Sequence, residues 1–83
     1  DFTSLQVQQG KTIRLFWETD QATFLHLHGY DIELSLRPNI ASEMTFKAHA
    51  TGRFPITSHV FDEHSDAHHQ HEVTLLYLEV YPN

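Results

Sequence analysis

Residues 59–71, HVFDEHSDAHHQH, place five histidines and three carboxylates within thirteen positions. A neutral imidazole is a good ligand for transition metals, so an internal tract of this composition indicates metal binding. The alternative interpretation is a solvated polar loop. An expression tag is a poorer explanation, because acidic residues interrupt the tract and a well-patterned strand follows it.

A second group of candidate ligands lies in HLHGY, residues 26–30. Alternate residues of a β-strand project from the same face, so His26 and His28 could converge on one ion. The alternative is a pair of hydrogen-bonded histidines at the edge of a sheet. Gly29 allows the backbone to bend or another segment to approach closely, which the rim of a site needs.

Within the histidine tract, His59 has the best-anchored position, because it comes where a strand over 52–58 is predicted to end. His64 could return to the same ion if the loop folds over that strand end. We treat the later histidines as auxiliary donors: His68, His69 and His71. Four nearby acids are expected to attract the cation and raise histidine basicity, with direct binding to the metal as the alternative: Asp62, Glu63, Asp66 and Glu72. Asp31 is expected either to orient a ligand imidazole or to stabilise a turn.

The segments that carry these residues alternate between apolar and polar positions with a period of two, and none shows the 3.6-residue spacing of a helix. The sequence therefore predicts an all-β domain. Leu5 and Val7, the turn at Gln9-Gly10, and a second strand ending at Trp17 predict a hairpin. Further strands are predicted over 22–28, 32–36, 44–48, 52–58 and 72–82. Pro55 indicates a free edge or a bulge in its strand.

Composition limits the functional classes. Eighty-three residues with 40% hydrophobic content fit one domain, residues 1–83, with a histidine-rich loop at 59–72. Without cysteine, neither a disulfide nor a thiolate metal site is available. A net charge of −6 makes a nucleic-acid partner improbable, and no apolar run approaches the roughly 20 residues of a membrane span.

The order HGYDIELSLRP, MTFKAHATGRFPITSH and LLYLEVYP resembles the cupredoxins, and more closely cupredoxin-like domains with an HLHGYD…GRFP…H pattern. The resemblance covers roughly residues 23–82. It is most specific at His28-Gly29, in ATGRFPI and in YLEV. It implies a small Greek-key β-sandwich with antiparallel or mixed sheets, a periplasmic or extracellular location, and copper. It also implies that His28 is the early ligand, with His59 and His64 from the late cluster.

The sequence departs from that family where electron transfer is concerned. Ser58 stands about where electron-transferring cupredoxins have a cysteine, and no late methionine follows. The only methionine, Met44, alternates with Phe46 and is predicted to lie in the core. What remains is a site dominated by imidazole, which suits Cu(II), Zn(II) or Ni(II), and Cu(I) when two or three histidines bind.

These observations predict a copper carrier, buffer or resistance protein with an all-imidazole site between strand 22–28 and loop 59–71. Its partners would be the metal, with zinc as an alternative ion, and another copper protein as donor or acceptor. Protons compete with metal for imidazole, so such a site would release its ion as the pH falls. One alternative is a small copper redox enzyme or electron-transfer protein with a non-thiolate centre, using Tyr30 or Tyr77. Another is a structural sandwich domain whose histidines are incidental or form a pH-responsive surface.

Overall fold

The chain is all-β in a computed structural model that describes residues 3–60 and 71–83. Within these ranges there are seven strands and no helix, so none that could span a membrane. The strands are β1 (Thr3–Gln8), β2 (Thr12–Trp17), β3 (Thr23–Leu27), β4 (Ile32–Leu36), β5 (Ser42–Lys47), β6 (Gly52–Val60) and β7 (His71–Tyr81).

The strands form two sheets. One has five strands in the order β1-β7-β6-β3-β4, and the other pairs β2 with β5. All pairs are antiparallel except β1 with β7, so the larger sheet is mixed. Both sheets contribute to one apolar core, an arrangement compatible with a β-sandwich. Its buried side chains are Leu25, Leu27, Leu36, Met44, Phe46, Ala48, Ile56, Leu78 and Val80, and the prediction that Met44 is a core residue is confirmed.

The predicted hairpin of β1 and β2 is wrong. The turn at Gly10 is present, with φ at +93°, but β1 pairs with β7 and β2 pairs with β5. The Gly10 N–H donates to the Ala48 carbonyl oxygen at 2.8 Å, which ties the crossing between sheets to the end of β5. Alternation determines which face of a strand is apolar, but it does not determine the neighbouring strand.

Of the two explanations for Pro55, a free edge is excluded. Strand β6 lies between β7 and β3 in the interior of the larger sheet. A register shift follows between Ile56 and Thr57, but the residue without a partner is Leu75, so the extra residue of this bulge belongs to β7 and not to the strand of Pro55. The Pro55 carbonyl oxygen accepts a hydrogen bond from the His28 N–H at 3.0 Å, which ties the turn after β3 to β6.

The bounds of the predicted histidine-rich loop, 59–72, also need correction. Strand β6 continues to Val60 and β7 begins at His71, and the register pairs His59 with Glu72 and Val60 with His71. His59 and Glu72, which the prediction placed in the loop, are therefore paired within the ladder. The predicted strand 22–28 is slightly shorter, and His28 lies in the turn after β3.

Candidate functional site

One face of the five-stranded sheet carries the candidate ligands. Along β3, Leu25 and Leu27 are buried in the core, so the alternate residue His26 projects from the opposite, outer face. The register with β6 places His26 across from Thr57. Cross-strand partners share a face, so Thr57 also belongs to the outer face.

Strand β7 supplies an acid to the same face. Its register with β6 pairs His59 with Glu72 and Thr57 with Thr74. The outer face thus carries polar side chains from three adjacent strands. Alternation within β6 places Thr57 and His59 on the same side, and pairing determines that Glu72 lies beside them.

His28 joins this group from the turn that follows β3. Its Nε2 atom lies 3.0 Å from Thr57 Oγ1 and 2.9 Å from Glu72 Oε1. The side chains of His28 and Glu72 are 37% and 44% exposed, so solvent reaches both. The backbone hydrogen bond from His28 to Pro55 holds the turn against β6 and brings the imidazole over Thr57.

The position of the proton between His28 and Glu72 follows from the ionisation of the Glu72 carboxylate. An ionised carboxylate only accepts hydrogen bonds, so Nε2–H of His28 donates to Glu72. The largest influence on Glu72 is a hydrogen bond from the Thr57 side chain, which lowers its pKa below the usual 4.5. Partial desolvation opposes this shift, whereas the His28 hydrogen bond and the charges of His59 and His28 lower the pKa further. The site therefore favours the carboxylate form.

His59 approaches the same carboxylate oxygen from β6. Its Nε2 atom lies 3.9 Å from Glu72 Oε1, and its side chain is 25% exposed. The sum of the two distances to Oε1, 6.8 Å, is the upper limit for the separation of the His28 and His59 Nε2 atoms. The backbone of His59 is held by the Thr23 hydroxyl, which donates to its carbonyl oxygen at 2.8 Å. The early and late segments therefore meet, as a shared site requires.

His26 lies beside His28, with ring centroids 4.0 Å apart and ring planes tilted by 44°. The expectation that the two imidazoles share a face therefore holds, even though His28 is just beyond the strand. The contact limits the orientations that the His28 ring can adopt.

The remaining predicted ligands are not described. His64, His68 and His69 lie outside the described residues, as do Asp62, Glu63 and Asp66. His71 is placed in β7, but its side chain is not described. In the part of the chain that is described, no group of three or more His, Asp or Glu side chains is arranged as a ready-made metal site.

Sequence reasoning missed the direct involvement of Glu72 and Thr57. Glu72 was expected mainly to influence the ligands electrostatically, with metal binding as the alternative, and the hydrogen bond that it accepts from His28 was not predicted. Thr57 precedes His59 by two residues, and that spacing within one strand could have identified it. Asp31 adopts a positive φ of 57° in the turn between β3 and β4, which fits the turn-stabilising alternative.

Ser58 lies on the other side of the sheet. It is 7% exposed and pairs with Leu25, whose side chain is in the core. The residue that stands where electron-transferring cupredoxins have cysteine is therefore separated from His28 and Glu72 by the sheet itself.

Comparisons with known proteins found no relative. No protein-family model matches the sequence, and no curated protein or solved structure matches the chain.

Proposed function

We propose that this domain binds a copper ion, with zinc as the alternative metal, through His28, His59 and the Glu72 carboxylate. The observation that supports it best is that one oxygen of Glu72 lies 2.9 Å from His28 Nε2 and 3.9 Å from His59 Nε2. Three side chains of types that can bind metals, from the β3 turn, β6 and β7, thus lie around one carboxylate oxygen.

These distances are suited to sharing an ion. Nitrogen and oxygen ligands lie about 2.0–2.2 Å from zinc, so two such ligands on one ion are at most about 4 Å apart. Both distances to Glu72 Oε1 fall within that limit, whereas the upper bound of 6.8 Å on the separation of the His28 and His59 Nε2 atoms exceeds it, so these two atoms are expected to approach each other on binding. The metal would replace the proton that His28 Nε2 shares with Glu72, and the partly exposed rings leave room for the final adjustment.

Because the described cluster is not a ready-made three-ligand site, the proposal includes a small rotation of the His59 or His28 ring on binding. It also replaces the all-imidazole site with a mixed set of imidazole and carboxylate ligands. Imidazole and carboxylate donors suit Cu(II) and Zn(II). We keep His26 as a neighbour of the ligands and His64 as an additional donor from the sequence prediction.

For the biological role we favour a copper carrier, buffer or resistance protein in the periplasm or outside the cell. This part of the proposal rests on the cupredoxin resemblance. A fast electron-transfer centre is a poorer fit, because Ser58 faces the core and the Tyr30 hydroxyl is fully engaged by the Ala50 backbone. Partly exposed histidines that bind a metal ion and release it on protonation would suit a protein that buffers the metal concentration.

The test is a competition titration of metal-free protein with Cu(II) and, in parallel, Zn(II). We expect saturable binding of one ion. Because all three are proposed as ligands, His28→Ala, His59→Ala and Glu72→Gln should each weaken binding by at least the roughly 10–100-fold seen when a residue that only orients a ligand is lost. His69→Ala should leave the affinity unchanged.

Backbone amide spectra of each metal-free variant serve as the folding control. Equal and small losses for His28→Ala, His59→Ala and His69→Ala would mean that copper binds diffusely, and the proposal would be wrong. Binding by His28→Ala at the affinity of the unsubstituted protein would also overturn it.

A further inference from the structure

A negatively charged group lies beside both proposed imidazole ligands. The Oε1 atom of Glu72 is 2.9 Å from His28 Nε2 and 3.9 Å from His59 Nε2. A metal ion bound about 2.0 Å from His28 Nε2 would therefore lie no more than about 4.9 Å from this oxygen with both side chains as they stand. Any ion held by His28 is thus next to a carboxylate.

That carboxylate discriminates between ions by their charge and by their preferred donors. At a given distance, its Coulomb attraction is twice as large for a divalent ion as for a monovalent one. Carboxylate and imidazole donors suit Cu(II) and Zn(II), whereas thiolate and thioether sulfur favour Cu(I). Glu72 therefore stabilises bound Cu(II) or Zn(II) more than bound Cu(I).

Sulfur, the donor type that favours Cu(I), does not reach this site. The chain has no cysteine, and its single methionine is Met44. Met44 belongs to β5 in the smaller sheet, is 2% exposed and lies in the core. His28 and Glu72 meet on the outer face of the larger sheet, so this sheet lies between them and the Met44 thioether.

The neighbouring His26 does not add a third imidazole to an ion at His28 as the rings are placed. With nitrogen about 2.0 Å from a tetrahedral ion and each ring centre about 1.2 Å further out, two imidazole centres lie roughly 5 Å apart. The His26 and His28 centroids are only 4.0 Å apart, so both rings cannot direct a nitrogen lone pair at one ion. Among the described residues, the ion is left with two imidazoles and one carboxylate.

We infer that this site takes its copper as Cu(II) and discriminates against Cu(I), so that the domain carries or buffers the oxidised ion. The inference rests on the proposed metal function and specifies the class of ion. Zn(II) has the same charge and accepts the same donors, so it is the expected competitor for the site.

The test measures the two copper affinities of the unsubstituted protein separately. Glycine is the competing chelator for Cu(II), and bicinchoninate is the competing chelator for Cu(I) under anaerobic conditions. Cu(II) should bind at least about tenfold more tightly than Cu(I), which places the midpoint potential of the bound ion at least about 59 mV below that of the aqueous couple. Voltammetry of the copper-loaded protein provides an independent measurement of that shift.

Two substitutions of Glu72 test whether its carboxylate is the cause. Glu72→Gln keeps the shape of the side chain but removes the charge, so it should weaken Cu(II) binding by at least roughly tenfold and Cu(I) binding by less than about threefold. Glu72→His replaces the carboxylate with an imidazole and should raise the Cu(I) affinity by at least about tenfold.

Glu33→Gln is the matched control. Glu33 pairs with His26 across β3 and β4, so it is an acid on the same outer face. Its side chain is exposed to solvent, which screens its charge. Glu33→Gln should therefore change both copper affinities by less than about threefold. Backbone amide spectra of the metal-free variants check that each one folds.

The outcomes separate this inference from the proposed function. Cu(I) binding as tight as Cu(II) binding in the unsubstituted protein, or equal losses of both affinities in Glu72→Gln, would overturn the inference and leave metal binding by His28 and His59 standing. Absence of saturable Cu(II) and Zn(II) binding would overturn the proposed function itself. The comparison in the unsubstituted protein decides the question even if a variant does not fold.

Discussion

His28 Nε2 and Glu72 Oε1 lie 2.9 Å apart, although 44 positions separate the two residues in the chain. The contact spans β6, because His28 follows β3 and Glu72 belongs to β7. It depends on two registers at once, that of β3 with β6 and that of β6 with β7. A slip of one residue in either would move a partner to the opposite face. The geometry of the site therefore depends on both strand registers.

The first prediction concerns the acid stability of the metal-free protein. Because the pKa of Glu72 is lowered in the folded state, its contribution to stability is fully present above the unfolded value, near 4.5, and is lost as the pH falls through the folded pKa. The stability difference between the unsubstituted protein and Glu72→Gln should therefore shrink as the pH drops below 4.5. Urea unfolding at several pH values with a chelator present measures this.

Thr57→Val tests the cause of that shift. The hydrogen bond from Thr57 is its largest source, so this variant should raise the Glu72 pKa toward 4.5. A carbon-detected NMR titration of the Glu72 carboxyl group reads the value directly. An unchanged pKa in Thr57→Val would show that the hydroxyl does not hold the carboxylate.

The second prediction concerns Gly29, which follows His28. Its φ is +88°, and a Cβ atom there would lie 2.4 Å from Phe54 Cδ1. Gly29→Ala must therefore strain the backbone and displace Phe54, whose ring packs edge-on against Tyr30. We expect a loss of about 2–4 kcal/mol in unfolding free energy, from the positive φ and overpacking together. The turn that positions His28 would shift, so metal affinity should fall too.

Gly10→Ala is the matched control. Gly10 also has a positive φ, +93°, but nothing lies within 4 Å of its added Cβ. The Gly10→Ala variant should lose only about 1–2 kcal/mol in unfolding free energy, which is the cost of the positive φ, and its metal affinity should not change. If urea unfolding gave equal losses for Gly10→Ala and Gly29→Ala, the close approach of Phe54 would contribute nothing.

Much of the fold could be predicted from alternation alone, because the apolar face of each strand depends on its own residues. The buried positions Leu25, Leu27, Met44 and Leu78 follow that pattern. The partner of a strand depends on packing between distant segments, and this is why the β1-β2 hairpin was wrong. Pro55 suggested a free edge or a bulge in its own strand, but the sheet order shows that this strand is central, and the extra residue of the nearby bulge is Leu75 of β7.

For the candidate site, the sequence predicted that His28 and His59 lie close together but not which contacts hold them there. His28 and His59 were identified from residue type and from their places at strand ends. The role of Glu72 required the β6-β7 register, which places it opposite His59. Thr57 looked like any polar strand residue, because its effect on Glu72 depends on a cross-strand contact that no local pattern encodes.

The last prediction concerns Tyr30, which the sequence left open as a redox participant. Its hydroxyl donates to the Ala50 carbonyl oxygen at 2.7 Å and accepts from the Ala50 N–H at 3.0 Å, while its ring packs against Phe46 and Phe54. Tyr30→Phe keeps the ring but leaves both backbone groups without this partner. We expect a loss of about 1–3 kcal/mol in unfolding free energy and unchanged copper affinity, because the hydroxyl serves the connection between β5 and β6.

Tyr81→Phe is the control for that measurement. The Tyr81 side chain is 49% exposed and its hydroxyl makes one long contact, 3.4 Å, to Glu79, so its removal should change stability by less than about 0.5 kcal/mol. Urea unfolding of both variants, with copper titration of each, separates the two roles. If Tyr30→Phe unfolded like Tyr81→Phe but lost copper binding or copper-dependent redox activity, the tyrosine would belong to the metal chemistry. If the role of Tyr30 is structural, Tyr30→Phe should be less stable than Tyr81→Phe and should bind copper normally. Water can replace the exposed hydrogen bond of the Tyr81 hydroxyl, but it replaces less well the partly buried hydrogen bonds between Tyr30 and Ala50.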